Sequence, residues 1–434
     1  MNRSAAREVK GWCPGALRPM PSGDGLIVRV RPHSATLDLD ELAALADAAG
    51  LFGSGHIDLT RRANLQIRGV SEATLPHLHA VIAGLGLLDD SPDGEAVRNV
   101  MINPLAGIDP AEVLDVRSIG AELARWLVSE KPLWALPTKF GFIVDGCGVL
   151  DLAEQRGDVR LAAIADGTDT VVAVGLDTRA GVEWLGSISP DAAAAVAIEI
   201  GLAFVGAASR EKRQRMRDLS REGLASIRST IGPRLDALRE NPRNARAPSI
   251  KRAGLIELGA GRLAVGIAAP FGRIEADQVE MLTGAMVAHG VKEIRLSPWR
   301  ALYAEVPSEQ SGQSILVAAA GIGLVVDPGD PLLQIEACPG APGCQSTSLD
   351  TRGDGRRLAD LLPRFGFTGT VHVSGCAKGC AKSGTSDLVL VGAAGRYGLV
   401  RNGTAQDFPA RHLSFSDLAE DPGKIFDGGS RQQT

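Results

Sequence analysis

The chain has 434 residues, of which 44% are hydrophobic and 22% are charged, and its 46 basic and 51 acidic side chains give a formal net charge of −5. The length predicts several domains, and the charge balance excludes a global basic field for nucleic acid or an anionic membrane surface. The sequence contains neither a secretory leader nor an apolar run of about 18 residues. We therefore expect a cytoplasmic protein, in which the six cysteines favour metal or redox chemistry over disulfides.

The first predicted elements belong to an internal repeat. Residues 25–68 and 261–305 both read as a strand, a connection, a helix with an acidic start, a glycine stop and two further strands. Gly50 and Gly290 are the predicted helix stops. A strand, a helix and two strands form half of a ferredoxin-like unit, so the two copies are expected to pair into one sheet domain.

A longer α/β region follows each copy of the repeat. Its predicted elements are strands at 140–145, 169–176, 370–374 and 387–392, and helices at 190–204 and near 354–363. Between the halves, a charged stretch interleaves acids with bases and is predicted to be a solvated helix and linker. The predicted units are a ferredoxin-like half-domain (12–80), an α/β domain (90–208), a charged helical linker (209–248), a second ferredoxin-like half-domain (249–310) and an α/β domain with clustered cysteines (325–425).

Four cysteines lie in two glycine-rich segments of the last unit. Five residues separate Cys338 from Cys344, and three separate Cys376 from Cys380. Structural zinc sites usually have closer spacing at both ends, whereas iron–sulfur clusters tolerate wider spacing. The pattern favours an iron–sulfur cluster, with zinc or unrelated buried cysteines as alternatives.

The remaining two cysteines, Cys13 and Cys147, stand alone, and for them we favour ordinary packing. His372, on the strand before the second cysteine pair, is a further candidate residue of the site.

Basic side chains recur on strand ends and turns of the first half. They suit a polyanionic ligand, because arginine pairs carboxylates in bidentate fashion, although any one of them alone would more often be a solvated surface charge. The candidate substrate-binding residues are Arg18, Arg29, Arg31, Arg62, Arg98 and Lys139.

Several segments together resemble the sulfite/nitrite reductase superfamily. The four cysteines match its cluster motif, and GCAKGCAKSG resembles its GCPNGCA segment. LTRRANLQIRG, RNVMINP and LPTKFGF resemble its three basic segments. The resemblance implies an α+β, pseudo-two-fold fold with two ferredoxin-like half-domains and two larger α/β domains. It also implies a [4Fe–4S] cluster on the four cysteines, with Cys380 as the cysteine that bridges to siroheme iron in the reductases.

Two departures point to one branch of that superfamily. Gly141 stands where the reductases have a second lysine, and Ala63 stands where they have glutamine. The opening GWCPGALRPMPSGDG and the segment SPWR (297–300) instead resemble the branch that oxygenates precorrin-3A in aerobic cobalamin biosynthesis.

Resemblance to this branch implies an O2-dependent monooxygenase that converts precorrin-3A to a hydroxy-γ-lactone, with electrons relayed by the cluster. It further implies a mononuclear non-haem iron, for which no local ligand motif is visible, and NAD(P)H as electron source through a reductase or ferredoxin partner. The residues do not indicate which side chains are catalytic. A siroheme-dependent nitrite or sulfite reductase and a non-catalytic iron–sulfur electron carrier remain the alternatives.

Overall fold

The computed structural model describes residues 13–420 and residue 423, apart from residues 168, 213 and 243–252. The predicted boundaries at 12, 248, 249 and 425 lie outside the described residues. Within them, the chain forms twenty strands and ten α-helices in four groups.

The groups follow one another along the chain. The first contains β1 (Met20–Ser22), β2 (Gly25–Val30), β3 (Thr36–Asp38), α1 (Leu39–Phe52), β4 (His56–Leu59), β5 (Leu65–Val70) and α2 (Leu75–Gly84). The second contains α3 (Pro92–Val97), β6 (Val100–Ile102), α4 (Arg117–Ser129), β7 (Phe142–Asp145), β8 (Val159–Asp166), β9 (Asp169–Thr178), β10 (Gly181–Ile188), α5 (Pro190–Glu211) and α6 (Arg221–Ile231). The third contains β11 (Gly254–Gly259), β12 (Arg262–Ala268), β13 (Arg273–Glu275), α7 (Ala276–Ala288), β14 (Glu293–Leu296), β15 (Ala301–Val306) and α8 (Glu309–Gly321). The fourth contains β16 (Ile335–Ala337), α9 (Thr351–Ala359), β17 (Val371–Ser374), β18 (Ser386–Ala393), β19 (Arg396–Gly403), β20 (Arg411–Leu413) and α10 (Phe415–Glu420).

The two repeat helices begin and end for identifiable reasons. A capping box starts α1, in which Asp38 and Glu41 each accept the other's backbone N–H. The helix continues through Gly50 to Phe52, so the predicted stop at Gly50 is wrong. Its counterpart α7 does end as predicted, two residues before Gly290, which has a φ of +78°.

The two ferredoxin-like halves exchange a strand. The first sheet has the order β1-β2-β5-β4-β13 and the second the order β11-β12-β15-β14-β3. Each sheet therefore receives its edge strand from the other half, with Ile274 opposite Ile57 and Leu37 opposite Ile294. The halves share one hydrophobic core instead of one sheet, and neither is a closed unit without the other.

The two α/β domains repeat one topology. Their sheets have the orders β6-β7-β8-β9-β10 and β16-β17-β18-β19-β20, and in both the first three strands are parallel and the rest antiparallel. The predicted strands at 140–145 and 370–374 are the central parallel strands β7 and β17. Because carboxyl ends of parallel strands meet at one sheet edge, the loops after β16 and β17 come together.

The segment predicted as a solvated linker belongs to the first α/β domain. Helix α5 extends to Glu211, and α6 folds back against it. The prediction of a linker is wrong because apolar side chains recur among the charges and enter the core, namely Met216, Leu219, Ile227 and Ile231. By length and composition, Pro190–Asp218 is the one stretch of the described residues apolar enough to cross a membrane, but 56% of its apolar window is buried, as in core helices.

Asp58 on β4 forms ion pairs with arginines from three parts of the chain. Its buried carboxylate pairs with Arg68 of β5, with Arg273 of the exchanged strand β13 at 2.9 Å and with Arg352 of α9 at 3.2 Å. Burial alone would raise the pKa of Asp58, but the arginines outweigh it and hold the pKa well below its usual range.

Candidate functional site

The two cysteine segments meet where β16 and β17 end. Ala337 pairs with Val373 in the parallel register, so Cys338 follows directly and its backbone N–H donates to the carbonyl of Val373 at 3.2 Å. The Sγ of Cys338 accepts the backbone N–H of Gly375 at 3.2 Å. A Cβ at Gly375 would lie 2.5 Å from Cγ2 of Thr347, so glycine permits this close approach of the two loops. The sheet therefore brings the first cysteine against the loop that carries the second pair.

The four cysteines differ in exposure to solvent. Cys338 is buried, Cys344 and Cys376 are half-buried, and Cys380 is exposed. The loop before Cys344 is held from the first half of the chain, because the carbonyl of Gly343 accepts hydrogen bonds from Ser22 and Arg68, both at 3.0 Å.

The chemistry of these donors fits an iron–sulfur cluster. No disulfide joins any of the six cysteines, and four thiolates in paired loops are the usual ligand set of [4Fe–4S] clusters. Among the described residues, no group of three or more His, Cys, Asp or Glu is arranged to hold a single metal ion. This leaves the mononuclear iron implied by the resemblance without a ligand set in the part of the chain described.

A strongly basic cleft of about 690 Å³ opens beside Cys380. Its wall combines residues of the first ferredoxin-like half, the first α/β domain and the loop after the second cysteine pair. The basic side chains that line it are Arg61, Arg62, Arg98, Lys139, Arg156, Arg215, Arg217 and Lys382. Within the described residues Glu154 is the one acidic side chain on this wall, so the cleft suits a ligand with several carboxylates.

Three of the six predicted substrate residues line this cleft, namely Arg62, Arg98 and Lys139. Arg62 donates to the carbonyl of Lys139 at 2.8 Å, which fixes the two segments against each other. Arg98 is 9% exposed and binds both carboxylate oxygens of Asp89, at 2.9 and 2.7 Å. Much of its hydrogen-bonding capacity is thus used within the protein.

The structure does not bring the other three predicted residues to the cleft. Arg18 is an exposed partner of Asp93, and Arg31 is buried against Glu95. Arg29 is buried beside Cys13, with one guanidinium nitrogen that has no hydrogen-bond partner among the described residues.

Arg215 and Arg217 are cleft residues that the sequence interpretation missed. They follow α5 in the segment taken for a linker, where Arg215 binds the buried Asp158 at 3.0 Å. Their spacing of two residues around an apolar one is the signal in the sequence, and the structure places Arg215 in extended backbone before a short 3-10 helix, Met216–Asp218, that contains Arg217.

Cys13, for which ordinary packing was expected, lies among basic side chains. Burial would raise the pKa of its thiol, but Arg29, Arg62 and Lys139, with a hydrogen bond to Thr138, outweigh it, so the pKa is lowered. The thiol lines a smaller cavity of about 420 Å³ next to the cleft. Reactive cysteines occur in such partly exposed, electropositive surroundings, so we expect this thiol to be more reactive than one in ordinary packing.

Gly141, one of the two departures from the reductase motifs, lines the cleft. A Cβ added at Gly141 would meet only the carbonyl of Asn99, at 3.8 Å, so the space for a lysine is open and enlarges the cleft. Ala63 is buried in a left-handed turn, with a φ of +52°, beside Arg62.

Comparisons with known proteins agree with this architecture. Residues 18–85 match the nitrite/sulfite reductase ferredoxin-like half domain, and residues 93–238 match the nitrite and sulphite reductase 4Fe-4S domain. The second match covers the first α/β domain, whereas the four clustered cysteines lie in its pseudo-two-fold counterpart.

Individual relatives are similar over most of the chain. A precorrin-3B synthase from Sinorhizobium sp is 35% identical over 416 residues, which covers 93% of this chain and 85% of that protein. A ferredoxin sulfite reductase of Mycobacterium tuberculosis (strain H37Rv) is 24% identical and covers 84% of this chain and 69% of that protein. The solved structure of the Mycobacterium tuberculosis NirA protein superimposes with a TM-score of 0.75 at 19% identity, over 94% of this chain and 82% of that chain, and confirms the predicted α+β fold.

Proposed function

Because the chain belongs to the precorrin-3B synthase family of the sulfite/nitrite reductase superfamily, we propose that it is the O2-dependent monooxygenase that forms precorrin-3B. In this reaction precorrin-3A, O2, two electrons and two protons give the hydroxy-γ-lactone precorrin-3B and water. One oxygen atom enters the product, a ring acetate closes the lactone, and the other oxygen atom leaves as water. The proposal places the protein in the cytoplasm, in aerobic cobalamin biosynthesis.

The observation that carries this proposal is the basic cleft beside Cys380. Precorrin-3A is a reduced tetrapyrrole with many acetate and propionate groups, and a wall with eight basic side chains and one acid suits it, although Arg98, Arg215 and Arg217 also pair with acids outside the cleft lining. Lys139 and Arg62 would bind carboxylates directly, and the glycine at position 141 leaves room beside them for the macrocycle. The pocket that holds siroheme in the reductases would thus hold a similar tetrapyrrole as substrate.

We assign the [4Fe–4S] cluster to Cys338, Cys344, Cys376 and Cys380. When bound, such a cluster supplies electrons one at a time. Cys338, Cys344 and Cys376, which are buried or half-buried, would hold it on the protein side, and Cys380, which is exposed and lines the cleft, would hold it on the cleft side. NAD(P)H would provide electrons through a separate reductase or ferredoxin-type protein.

The mononuclear iron of the family is not assigned to any residues, because the described part of the chain has no group of three suitable ligands. The molar ratio of iron to acid-labile sulfide in the purified protein shows whether this additional iron is present. A ratio of about 1 corresponds to the cluster alone, whereas a ratio near 1.25 corresponds to one additional iron per four-iron cluster.

A siroheme-dependent nitrite or sulfite reductase is the second candidate, favoured by the reductase relatives and by the retained Arg62, Arg98 and Lys139. Gly141 opposes it, since the second lysine of the reductase site is missing. An iron–sulfur electron carrier without catalysis is the third candidate, and it leaves the large basic cleft without a purpose.

One experiment separates these functions. Protein purified under anaerobic conditions is extracted with acid and acetone, and the extract is examined for siroheme. We expect broad cluster absorbance from the protein and no siroheme in the extract. Incubation with precorrin-3A, reductant and ¹⁸O2 should then give a product heavier by one labelled oxygen. Stoichiometric siroheme would establish a reductase, and cluster absorbance without tetrapyrrole binding or turnover would establish a carrier.

A further inference from the structure

His372 is fully buried, yet neither of its ring nitrogens has a hydrogen-bond partner among the described residues. Imidazole carries at least one N–H in either protonation state. Buried polar groups in native proteins are nearly always hydrogen-bonded, because an unpaired group loses its hydration without compensation. The ring therefore requires an acceptor that the surrounding side chains and backbone do not supply.

The ring approaches the turn between Cys376 and Cys380. Along β17, Val371 and Val373 pack into the core that includes α9, so the side chain between them points to the opposite face. On that face, a Cβ added at Gly379 would lie 3.6 Å from Cε1 of His372. The turn that contains Cys376 and Cys380 therefore packs against the ring of His372 through Gly379.

The charged groups around the ring do not provide the missing acceptor. They are Glu336, Lys382, Arg300 and Arg61. The cationic groups cannot accept a hydrogen bond. Glu336 lies next to His372 in the parallel register, but its carboxylate faces Arg300 at 2.7 Å and makes no hydrogen bond to the ring.

We propose that an N–H of His372 donates a hydrogen bond to a sulfur of the [4Fe–4S] cluster and thereby raises its reduction potential. This inference rests on the cluster assigned in the proposed function. Cluster sulfurs become more negative on reduction, so a donor nearby stabilises the reduced form. In this role His372 acts on the potential as a hydrogen-bond donor to sulfur and not as a ligand of iron.

The test compares His372→Leu with His372→Gln in the holoprotein, by redox titration followed through the EPR signal of the reduced cluster. Leucine removes the donor, whereas glutamine keeps an N–H. We expect His372→Leu to titrate at a lower potential than the wild type with unchanged iron and sulfide content, and His372→Gln to lie nearer the wild type. His412→Leu, at an exposed position, should leave the potential unchanged.

A second measurement decides the question even if His372→Leu fails to retain the cluster. Wild-type protein labelled with ¹⁵N-histidine is reduced and examined by pulsed ENDOR for nitrogen and exchangeable-proton coupling to the cluster. Absence of both couplings would overturn the inference, as would an unchanged potential in His372→Leu. Neither readout depends on O2 or precorrin-3A. A loaded cluster without these signals therefore refutes the role of His372 alone, whereas a protein that binds no cluster refutes the assignment beneath it.

Discussion

Asn103 occupies in the first α/β domain the place that Cys338 occupies in the second. Each residue follows the first parallel strand of its sheet and precedes a proline. Oδ1 of Asn103 accepts the backbone N–H of Gly146 at 2.5 Å, as Sγ of Cys338 accepts that of Gly375 at 3.2 Å. The same loop geometry thus holds an amide in one half and a thiol in the other.

This pseudo-symmetry also pairs Cys147 with Cys376, since each follows the glycine after the central parallel strand. Cys147 lies beside the buried Asp145, and burial together with that carboxylate raises the pKa of its thiol. Such a thiol is a poor metal ligand, because the thiolate is the form that binds. One half of the duplicated fold therefore has thiols suited to a cluster, and the other has a polar network.

The paired cysteines provide a matched test of the cluster assignment. We expect Cys376→Ser to abolish the brown absorbance and to lower iron and sulfide content to near zero, because a serine oxygen is a harder and poorer ligand. Cys147→Ser should retain full iron and sulfide. Metal analysis and visible spectra of both variants check this, and full cluster content in Cys376→Ser would contradict the assignment.

The sequence predicts those features that depend on neighbouring residues. Alternation and helical spacing place β7, β9, β17, β18 and α5, whereas β16, the three-residue strand before Cys338, was not predicted. The exchange of β3 and β13 was not predictable in this way. Each strand has three residues, and its place depends on pairing with residues more than 200 positions away. The basic cleft also has a predictable and an unpredictable part. Arg62 and Lys139 lie in recognisable motifs, whereas Arg215 reaches the site only because α5 and α6 fold back.

Lys139 should contribute directly to substrate affinity. It lines the cleft and forms no ion pair with an acid among the described residues, so Lys139→Ala removes a cation without leaving a buried carboxylate behind. A hydrogen bond to a charged group contributes about 1.5–3 kcal/mol, so affinity for precorrin-3A should fall about tenfold to a hundredfold. Titration by tryptophan fluorescence measures it. Lys292→Ala, an exposed cation elsewhere, is the control, and equal affinities in the two variants would remove Lys139 from the site.

Arg98 should behave differently, because its partner Asp89 is buried with it. Removing one member of a buried ion pair costs about 3–5 kcal/mol, so Arg98→Ala should lower the free energy of unfolding by about that amount. The double variant Arg98→Ala, Asp89→Asn should recover part of the stability, because the buried charge is gone. Denaturant titration tests both. If only stability recovers and affinity stays weak, Arg98 also contacts the substrate.

Asp58 should make stability depend on pH. Its pKa in the folded protein lies below its ordinary value, so its ion pairs stabilise the fold above the unfolded pKa of about 4 and are lost as the pH falls toward the folded pKa. Asp58→Asn should therefore cost about 3–5 kcal/mol at neutral pH, and the difference from wild type should shrink below about pH 4. Unfolding curves at several pH values measure this. Asp93→Asn, which breaks the exposed pair with Arg18, should cost less than about 1 kcal/mol.

Cys13 should be the most readily alkylated thiol outside the cluster. Its lowered pKa means that a larger fraction is thiolate at neutral pH than for an ordinary cysteine with a pKa of about 8.5, and the thiolate is the nucleophile. Iodoacetamide labelling of the holoprotein, quantified by mass spectrometry of the peptides, should modify Cys13 well before Cys147, whose pKa is raised. The midpoint of the labelling rate against pH should lie below about 8.5.

The pH dependence of labelling distinguishes a lowered thiol pKa from simple exposure of Cys13 to solvent. Arg62→Gln removes one of the cations that lower the pKa of Cys13, so the labelling midpoint should move to higher pH while the rate at high pH, where the thiol is fully ionised, stays the same. Exposure alone would change the rate at every pH without moving the midpoint. Precorrin-3A should slow the labelling, because its carboxylates compete for Arg62 and Lys139, which Cys13 shares with the cleft. Labelling that ignores both the substitution and the ligand would show that Cys13 is electrostatically independent of the substrate site.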